Sequence, residues 1–348
     1  SLFSVEESLP LYSKLLAGVV EFSRKPGVVV GYPYVDTKNV VFVSEDAEHR
    51  FPYFKNFITA ADKYKIPVSA YCVSSLAEEE QNISLIKQAS ENKLFEIGSH
   101  SHSHKKIIGQ SESVIHKEIA GSKEKIDALS GLNLTGFRPP REEMNEVISA
   151  KLSESGYTYL LEKNKGYLYP RLLTDELYVI PRTATDDYQY LVSLDWSPDS
   201  ILERMKFETN YITSLDGIYS LSIHTHLLGY KSNINIIESY FEYLNDHKEF
   251  TPLNGQQIID RVITRENISY KLKQTKRNFL ISVKNNNETT VKNLKIRIYW
   301  TKEFHIKSMR TEIRSSSVKY TDNQDSRYTD IHISSIRPKS DLLLIAEY

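Results

Sequence analysis

The sequence predicts an α/β domain with a parallel sheet, followed by a small all-β domain. Up to about residue 265, short apolar runs alternate with helix-like stretches of about 12 residues, the spacing of βα units. After Glu266 the pattern becomes alternating and rich in Val, Ile, Tyr and Thr, which is typical of strands with one buried face. A chain of 348 residues with 40% hydrophobic and 26% charged residues has an ordinary globular composition.

Each element follows from its own pattern. The apolar runs predict strands at 40–43, 68–73 and 95–98, and the stretches between them predict helices at 53–64, 78–92 and 111–130. In the second part, strands are expected at 279–283, 291–299 and 341–348, with a turn at 285–287. The domain boundaries are therefore 37–262 for the α/β domain and 266–348 for the β domain, expected to be a sandwich. Residues 1–36 form an N-terminal flanking segment with a predicted helix at 9–24, which we expect beside the α/β domain.

Charge and cysteine content exclude several classes of protein. Lys plus Arg is 44 and Asp plus Glu is 45, a net charge of -1, so the composition indicates neither nucleic-acid binding nor a polybasic membrane anchor. No apolar run approaches the ~20 residues of a membrane span, so we expect no transmembrane segment. Cys72 is the single cysteine, which excludes an intrachain disulfide and a multi-cysteine zinc site.

The densest candidate for a site follows the third predicted strand. Three of the ten histidines, His100, His102 and His104, fall within five residues. On one helical turn, His100 and His104 would share a face and reach one metal ion while His102 points away. If the segment were extended, all three would share a face. At the end of a parallel strand, this spacing favours a metal site over a polar loop that happens to contain histidine.

A second cluster of residues contains carboxylates that could complete a metal site with two histidines. The run 44–49 reads Ser-Glu-Asp-Ala-Glu-His and lies at the end of the first strong strand. Catalytic zinc takes three protein ligands, and the third is commonly a carboxylate. Further on, Arg138 is held by two following prolines, and Asp195-Trp196 and His224 each follow strand-like residues.

Taken in order, these segments resemble the five motifs of the polysaccharide deacetylase family, carbohydrate esterase family 4 (the NodB homology domain). The resemblance covers roughly 37–262. Gly98-Ser99-His100-Ser101-His102-Ser103-His104 resembles the family's Gly-x-His-(Ser/Thr)-x-x-His signature, and 136–140 is similar to the third motif. Asp195-Trp196 is similar to the fourth motif, and 221–224 to the fifth.

Two motifs depart from the family pattern. The first motif is usually Thr-Phe-Asp-Asp, with a base and then a ligand, and two registers fit here. Either Glu45 is the base and Asp46 the metal ligand, or Asp46 is the base and Glu48 the ligand, as in some exopolysaccharide-linked members. We favour the second, because it keeps Ser44 two residues before an Asp. In the third motif, Arg141 stands where Tyr is usual.

The resemblance implies an irregular (β/α)7 barrel and a metal-dependent deacetylase. One divalent cation, most readily Zn with Co or Ni possible, would be held by His100, His104 and a carboxylate, Glu48 or Asp46. The remaining implied roles are base for Asp46 with Arg138 as its partner, and acid for His224 with Asp195 keeping the imidazole charged and oriented. Substrate contacts are expected at Arg141 and Trp196. Asp187 is a rival to Asp195, and His226 is the fallback acid.

The expected reaction is hydrolysis of N-acetyl groups on an N-acetylhexosamine polysaccharide, which releases acetate and an amino sugar. An exopolysaccharide, a chitin-like polymer or peptidoglycan fits as substrate, with a biofilm polymer favoured by analogy. Such a substrate predicts an extracytoplasmic location, although no signal peptide is visible in the sequence. The alternatives are a catalytically silent carbohydrate-binding protein on the same fold and, less favoured, a phosphoesterase. No feature predicts the oligomeric state.

Overall fold

The computed structural model describes residues 27–31, 36–163, 166–174, 176–301, 304–311, 317–323 and 327–348. The chain divides into two compact units, residues 37–260 and residues 261–348, the latter joined by strand β1 (Gly27–Gly31). The helix predicted at 9–24 lies outside the described residues. No helix in the described ranges is long and apolar enough to cross a membrane.

The first unit is built on one curled sheet. Its strands, in chain order, are β2 (Val40–Ala47), β3 (Val68–Cys72), β4 (Phe95–Ser99), β5 (Gly136–Phe137), β6 (Tyr159–Lys163), β7 (Arg171–Leu172), β8 (Tyr178–Arg182), β9 (Tyr219–His224) and β10 (Thr251–Pro252). Seven of them run parallel in the order β9-β2-β3-β4-β5-β6-β8, with β10 beside the start of β2 and β7 antiparallel at the edge of β8. The amide of Ala184 donates to the carbonyl of Ser220 (3.1 Å) and links the chain just after β8 to β9. The predicted irregular (β/α)7 barrel is confirmed.

Helices cover the outside of this sheet. They are α1 (Phe54–Tyr64), α2 (Ser74–Ala77), α3 (Glu80–Glu91), α4 (Glu112–Ser130), α5 (Glu146–Glu154), α6 (Pro198–Ser214), α7 (Ile234–Asp246) and α8 (Gly255–Glu266). In α1 the residues Phe54, Phe57, Ile58 and Ala61 recur at helical spacing and are buried. The single helix predicted at 78–92 is two helices, α2 and α3, separated at Glu78 and Glu79.

The strand β4 leaves space inside the barrel for a large side chain. A Cβ at Gly98 would lie 2.5 Å from the ring of Tyr71, so this position accepts only glycine without displacing that ring. The Tyr71 hydroxyl in turn lies 3.0 Å from that of Tyr159, and both side chains are fully buried. The glycine of the histidine motif therefore also serves the packing of the barrel interior.

The second unit is a β-sandwich. Its further strands are β11 (Ile268–Gln274), β12 (Asn278–Asn285), β13 (Val291–Trp300), β14 (Ser308–Thr311), β15 (Val318–Asn323), β16 (Tyr328–Ile336) and β17 (Ser340–Glu347). They form two antiparallel four-stranded sheets, β1-β13-β16-β15 and β11-β12-β17-β14, around a shared apolar core. The alternation of buried and exposed residues along β12 and β17 is the pattern that predicted them.

The segment before the α/β domain differs from the expectation. Strand β1 pairs antiparallel with β13, from Gly27 opposite Trp300 to Gly31 opposite Ile296. These residues are therefore part of the β-sandwich rather than a flank of the α/β domain. Their partner lies more than 260 residues away in sequence, so no local pattern could identify the pairing.

Candidate active site

The site residues lie where the parallel strands end. Asp46 lies in β2 and Glu48 directly after it. His100 and His104 lie in the segment after β4, and Arg138 is the residue after β5. His224 is the last residue of β9, and in the sheet it lies opposite Asp46. Because the carboxyl ends of parallel strands share one edge, residues far apart in sequence meet here.

The direction of alternate side chains along β2 separates the carboxylates. Asp46 and Glu48 lie on one face, and Glu45 lies on the other. Both Glu45 carboxyl oxygens are buried and have no hydrogen-bond partner in the described part of the chain. Burial, and next the negative charges of Asp187 and Asp46, raise the pKa of Glu45 well above its usual range. A neutral carboxyl facing away from the site serves neither as base nor as ligand, so the geometry favours the register with Asp46 and Glu48.

Glu48, His100 and His104 form a three-residue set that fits a divalent cation. One ligand atom from each lies within 4.8 Å of the others. Glu48 Oε2 is 2.9 Å from His104 Nε2 and 3.8 Å from His100 Nε2. Bonds of about 2.0–2.1 Å in a tetrahedral arrangement place zinc ligand atoms about 3.3 Å apart, a value between these two. Two imidazole nitrogens and one carboxylate oxygen are also a donor set that zinc prefers.

The tautomer of His100 suits a ligand. Its Nδ1 lies 2.7 Å from the carbonyl oxygen of Arg138, which can only accept, so Nδ1 carries the proton and Nε2 faces the carboxylates with a lone pair. Burial lowers the pKa of His100 to about 4, against the opposing effect of Asp46, so the imidazole is neutral at pH 7. Glu48 is ionised there, because His104 and His100 outweigh burial and hold its pKa at about 2.

The histidine segment is neither a helical turn nor an extended strand. Ser101 and His104 have left-handed backbone conformations, with φ of 66° and 55°. The Ser101 hydroxyl accepts from the amide of His104 (3.0 Å), which closes the bend. His102 points away and its Nδ1 lies 2.9 Å from Ser74 Oγ at the start of α2. The middle histidine therefore has a structural role.

Asp46 is paired with a buried arginine. Arg138 Nε donates to Asp46 Oδ2 (3.2 Å), which also lies 3.7 Å from His224 Nε2. Burial alone would raise the pKa of Asp46, but the Arg138 guanidinium, followed by His100 and His224, outweighs it and holds the pKa at about 2. The second oxygen, Oδ1, is buried and has no hydrogen-bond partner among the described residues. Asp46 is thus an ionised carboxylate with one free acceptor.

A second pair of charges behind Arg138 was missed by the sequence reasoning. Arg138 Nη1 donates to Glu142 Oε1 (2.9 Å), and the same carboxylate accepts two bonds from Arg182, at 2.7 and 2.8 Å. Glu142 also has a left-handed backbone, φ 57°. Its carboxylate thus bridges two buried arginines. A glutamate in a polar loop carries no sequence signal for such a role.

His224 has a different carboxylate partner from the one expected. Asp187 Oδ1 lies 2.6 Å from His224 Nδ1, and Asp187 Oδ2 accepts from the amide of His224 (2.7 Å). Asp195, in contrast, is exposed, and its described contacts include no site residue. The prediction that Asp195 orients His224 is corrected to Asp187, the rival considered. Burial disfavours the imidazolium, but the charge and hydrogen bond of Asp187 outweigh it and raise the pKa of His224 to about 10.

The remaining candidates have three different placements. Arg141 is exposed, three residues beyond Arg138. Trp196 is half-buried, stacks on Tyr190 at 5.7 Å and packs against the apolar core, so its described contacts do not support the expected substrate contact. His226 Nδ1 lies 3.4 Å from Glu48 Oε1, the oxygen opposite the one that faces His104. His226 therefore faces Glu48, a candidate ligand. His224 is in the position expected of the general acid.

The family assignment follows from comparison with known proteins. The model of the polysaccharide deacetylase family matches residues 36–160, the part that contains Asp46, Arg138 and the candidate ligand set Glu48, His100 and His104. This segment belongs to the polysaccharide deacetylase family. Among curated proteins, none matches the chain.

Solved structures share the fold of this deacetylase domain at low sequence identity. A Mycobacterium smegmatis protein assigned as a polysaccharide deacetylase is 18% identical, with a TM-score of 0.59 over 72% of this chain and 99% of its own. The allantoinase Puue is 13% identical, with a TM-score of 0.57 over 67% and 93%. A protein of Pseudomonas aeruginosa PAO1, also assigned as a polysaccharide deacetylase, is 13% identical, with a TM-score of 0.56 over 64% and 90%. These likenesses establish the fold.

Proposed function

We propose that this chain is a divalent-metal-dependent deacetylase that hydrolyses N-acetyl groups of an N-acetylhexosamine polysaccharide outside the cytoplasm. One observation carries the proposal. The candidate ligand set lies beside an ionised carboxylate, Asp46, and Asp46 lies 3.7 Å from a charged imidazole, His224. A metal site, a base and an acid at these distances are what amide hydrolysis requires.

Glu48, His100 and His104 would hold the cation. When bound, the cation supplies a Lewis acid that polarises the acetyl carbonyl and lowers the pKa of a water beside it. Asp46 removes a proton from the attacking water, using the oxygen that has no other partner. Arg138 keeps that carboxylate ionised and fixes its direction through the bond to Oδ2. His226 faces the other oxygen of Glu48 and orients this ligand.

The leaving group needs a proton, because an amide nitrogen departs only as a neutral amine. His224 is charged at neutral pH, since its pKa is about 10, and can donate from Nε2. Asp187 holds Nδ1 and sets the direction of the ring. The carbon–nitrogen bond then breaks, and the products are acetate and a free amino sugar. Arg141, exposed at the mouth of the site, is the proposed substrate contact.

Acetate release tests this proposal. We expect chelator-treated protein to release no acetate from N-acetylglucosamine oligomers, and Zn, Co or Ni to restore the release. The zinc content of the restored protein should be one ion per chain. The proposal fails if the loaded protein binds the oligomers and releases no acetate, because the chain would then be a carbohydrate-binding protein on this fold. Release that is unaffected by metal removal would contradict the role of the ligand set.

A further inference from the structure

The segments around the candidate site have an unusual distribution of surface charge. Four of them follow the strands that supply the site residues, at 48–53, 100–111, 138–145 and 225–233. In these four segments, every exposed Lys, Arg, Asp or Glu is a cation. We call these cations the basic rim, and they are Arg50, Lys105, Lys106, Arg141 and Lys231. The whole chain has 44 basic and 45 acidic residues, so the rim departs from its average.

Within the part of the chain that the structure describes, the basic rim has no carboxylate partner of its own. Among the described residues, no ion pair involves any of its five side chains. The carboxylates in these segments are Glu48 and Glu142, which lie within the site, and Glu143, which is half-buried. The nearest exposed carboxylates after these strands and after the neighbouring strands β3 and β8, which include Glu78, Glu112, Glu146 and Asp195, lie six or more residues beyond the strand ends.

The rim is also not needed to neutralise the site. The buried charges there balance once a divalent cation is counted: five negative charges against three positive side chains and the two charges of the ion. These groups are Asp46, Glu48, Glu142, Asp186 and Asp187, with Arg138, Arg182 and protonated His224. The positive charge of the five rim cations is therefore in excess of what the site itself needs.

Arg50 connects two of the four segments, and the residue before it lies beside the site. Its guanidinium carbon lies 4.7 Å from the ring centre of Tyr230, in the segment after β9. The preceding residue, His49, has its ring 5.5 Å from that of His226, which faces Glu48. Arg50 has a left-handed backbone, φ 60°, that holds it at this position. A guanidinium beside an aromatic ring suits a sugar that carries an oxyanion, because one group binds the charge and the other packs on the ring.

We propose that the basic rim selects a polysaccharide whose sugars carry anionic groups, carboxylate or phosphate, near the N-acetyl group to be removed. This inference rests on the proposed function and adds the substrate class to it. Guanidinium and ammonium groups bind both oxyanions, and a bidentate arginine contact suits each. A neutral polymer of the same sugar makes none of these charge contacts, so the rim favours the anionic polymer.

Three polymers with one backbone isolate the effect of charge: carboxymethyl chitin, phosphorylated chitin and neutral hydroxyethyl chitin. At an ionic strength of about 0.02 M, we expect kcat/KM for acetate release to be about tenfold higher on an anionic polymer than on the neutral one. At about 0.5 M the difference should disappear, because the Debye length falls to a few Å. A preference for one anionic polymer identifies its group, carboxylate or phosphate, as the ligand. Equal kcat/KM values on all three polymers overturn the inference and leave the proposed function intact.

A matched pair of lysines flanking β4 supplies the control. Lys106 follows this strand at the site edge, and exposed Lys93 precedes it at the opposite edge. Lys106→Glu should reduce the anionic preference about threefold, Arg50→Glu combined with it should abolish the preference, and Lys93→Glu should leave it unchanged. Equal losses in Lys93→Glu and Lys106→Glu would overturn the inference, because net charge alone would then explain the preference. Thermal unfolding checks that each variant is folded.

If the proposed function is wrong, the result differs from a failure of the rim inference alone. If no polymer releases acetate, retention of the protein on immobilised carboxymethyl, phosphorylated and hydroxyethyl chitin tests the rim separately. Salt-sensitive retention on an anionic resin that Lys106→Glu weakens and Lys93→Glu does not would support the rim as an anion-binding surface. Equal retention on all three resins would overturn it.

Discussion

On each side of the site, a partner of opposite charge keeps a buried ionisable group charged. On the base side, a carboxylate is paired with an arginine, and the pKa of Asp46 falls to about 2. On the acid side, an imidazole is paired with a carboxylate, and the pKa of His224 rises to about 10. In both places the partner charge outweighs burial, which favours the neutral form. The wide separation keeps a base without its proton and an acid with its proton over most of the pH range.

The largest expected effect comes from removing the base. Asp46→Asn should lower kcat for acetate release about 10³-fold, because the other ionised carboxylate beside the histidines, Glu48, is assigned to the cation and cannot replace the base. The zinc content should stay at one ion per chain, whereas Glu48→Gln should lose the ion. Measuring metal content and kcat on both variants separates base from ligand. Loss of zinc in Asp46→Asn would mean that Asp46 is the ligand instead.

The acid side is tested by the carboxylate behind His224. Burial lowers the pKa of His224, and without the charge and hydrogen bond of Asp187 this pKa should fall from about 10, since Asp46 and Glu48 are then the carboxylates that still raise it. The acid is active only below its pKa, so the alkaline limb of kcat against pH should move to lower pH in Asp187→Asn. Activity at pH 8 should then fall about 100-fold. Asp195→Asn is the control, and an equal shift there would restore Asp195 as the partner.

The network behind the base should matter less for rate than for stability. Glu142→Gln leaves two buried arginines without their shared counter-charge, which should lower the free energy of unfolding by about 3 kcal/mol. We expect kcat to fall about tenfold, since Arg138 keeps its bond to Asp46 and loses its anchor. Denaturant unfolding and kcat are measured together. Glu143→Gln, which changes the neighbouring half-buried residue, should change neither, and a similar loss there would contradict the bridge.

The last effect is on the pH dependence of stability and not on catalysis, and it concerns the carboxyl that faces away from the site. Glu45 has an ordinary pKa of 4.5 and a raised one in the folded chain, so above pH 4.5 the folded state holds one more proton than the unfolded state. Stability therefore falls as pH rises, by up to about 1.4 kcal/mol per pH unit. Glu45→Gln should flatten this part of the profile in denaturant unfolding from pH 5 to 8. Exposed Glu91→Gln should keep the slope, and an unchanged slope in Glu45→Gln would mean that Glu45 is ionised.

Much of the fold was predictable because its signals are local. Apolar runs, helical periodicity and the alternation after residue 266 predict the order of strands and helices. Two features of the fold are exceptions, because no local signal predicts them. Strand β1 becomes a strand by pairing with β13, and the break between α2 and α3 follows no breaker residue such as Pro or Gly.

The candidate site likewise contains residues that local sequence patterns identify and assignments that needed the folded chain. The spacing of His100 and His104 after a strand, and Arg138 before two prolines, identify these residues from sequence alone. The alternation along β2 shows that Asp46 and Glu48 share a face and that Glu45 lies on the other, but not which face meets the histidines. Two other assignments needed the folded chain: Asp187 rather than Asp195 as the partner of His224, and Glu142 between Arg138 and Arg182.

By itself, the sequence determined the βα order, the following β domain and the histidine motif, since these depend on side chains within one strand or turn. The tertiary structure decided the role of each carboxylate. Every Asp and Glu in these loops has the same chemistry in the unfolded chain. Closure of the barrel determines which one meets an arginine, a histidine or an apolar wall, and this environment sets its pKa.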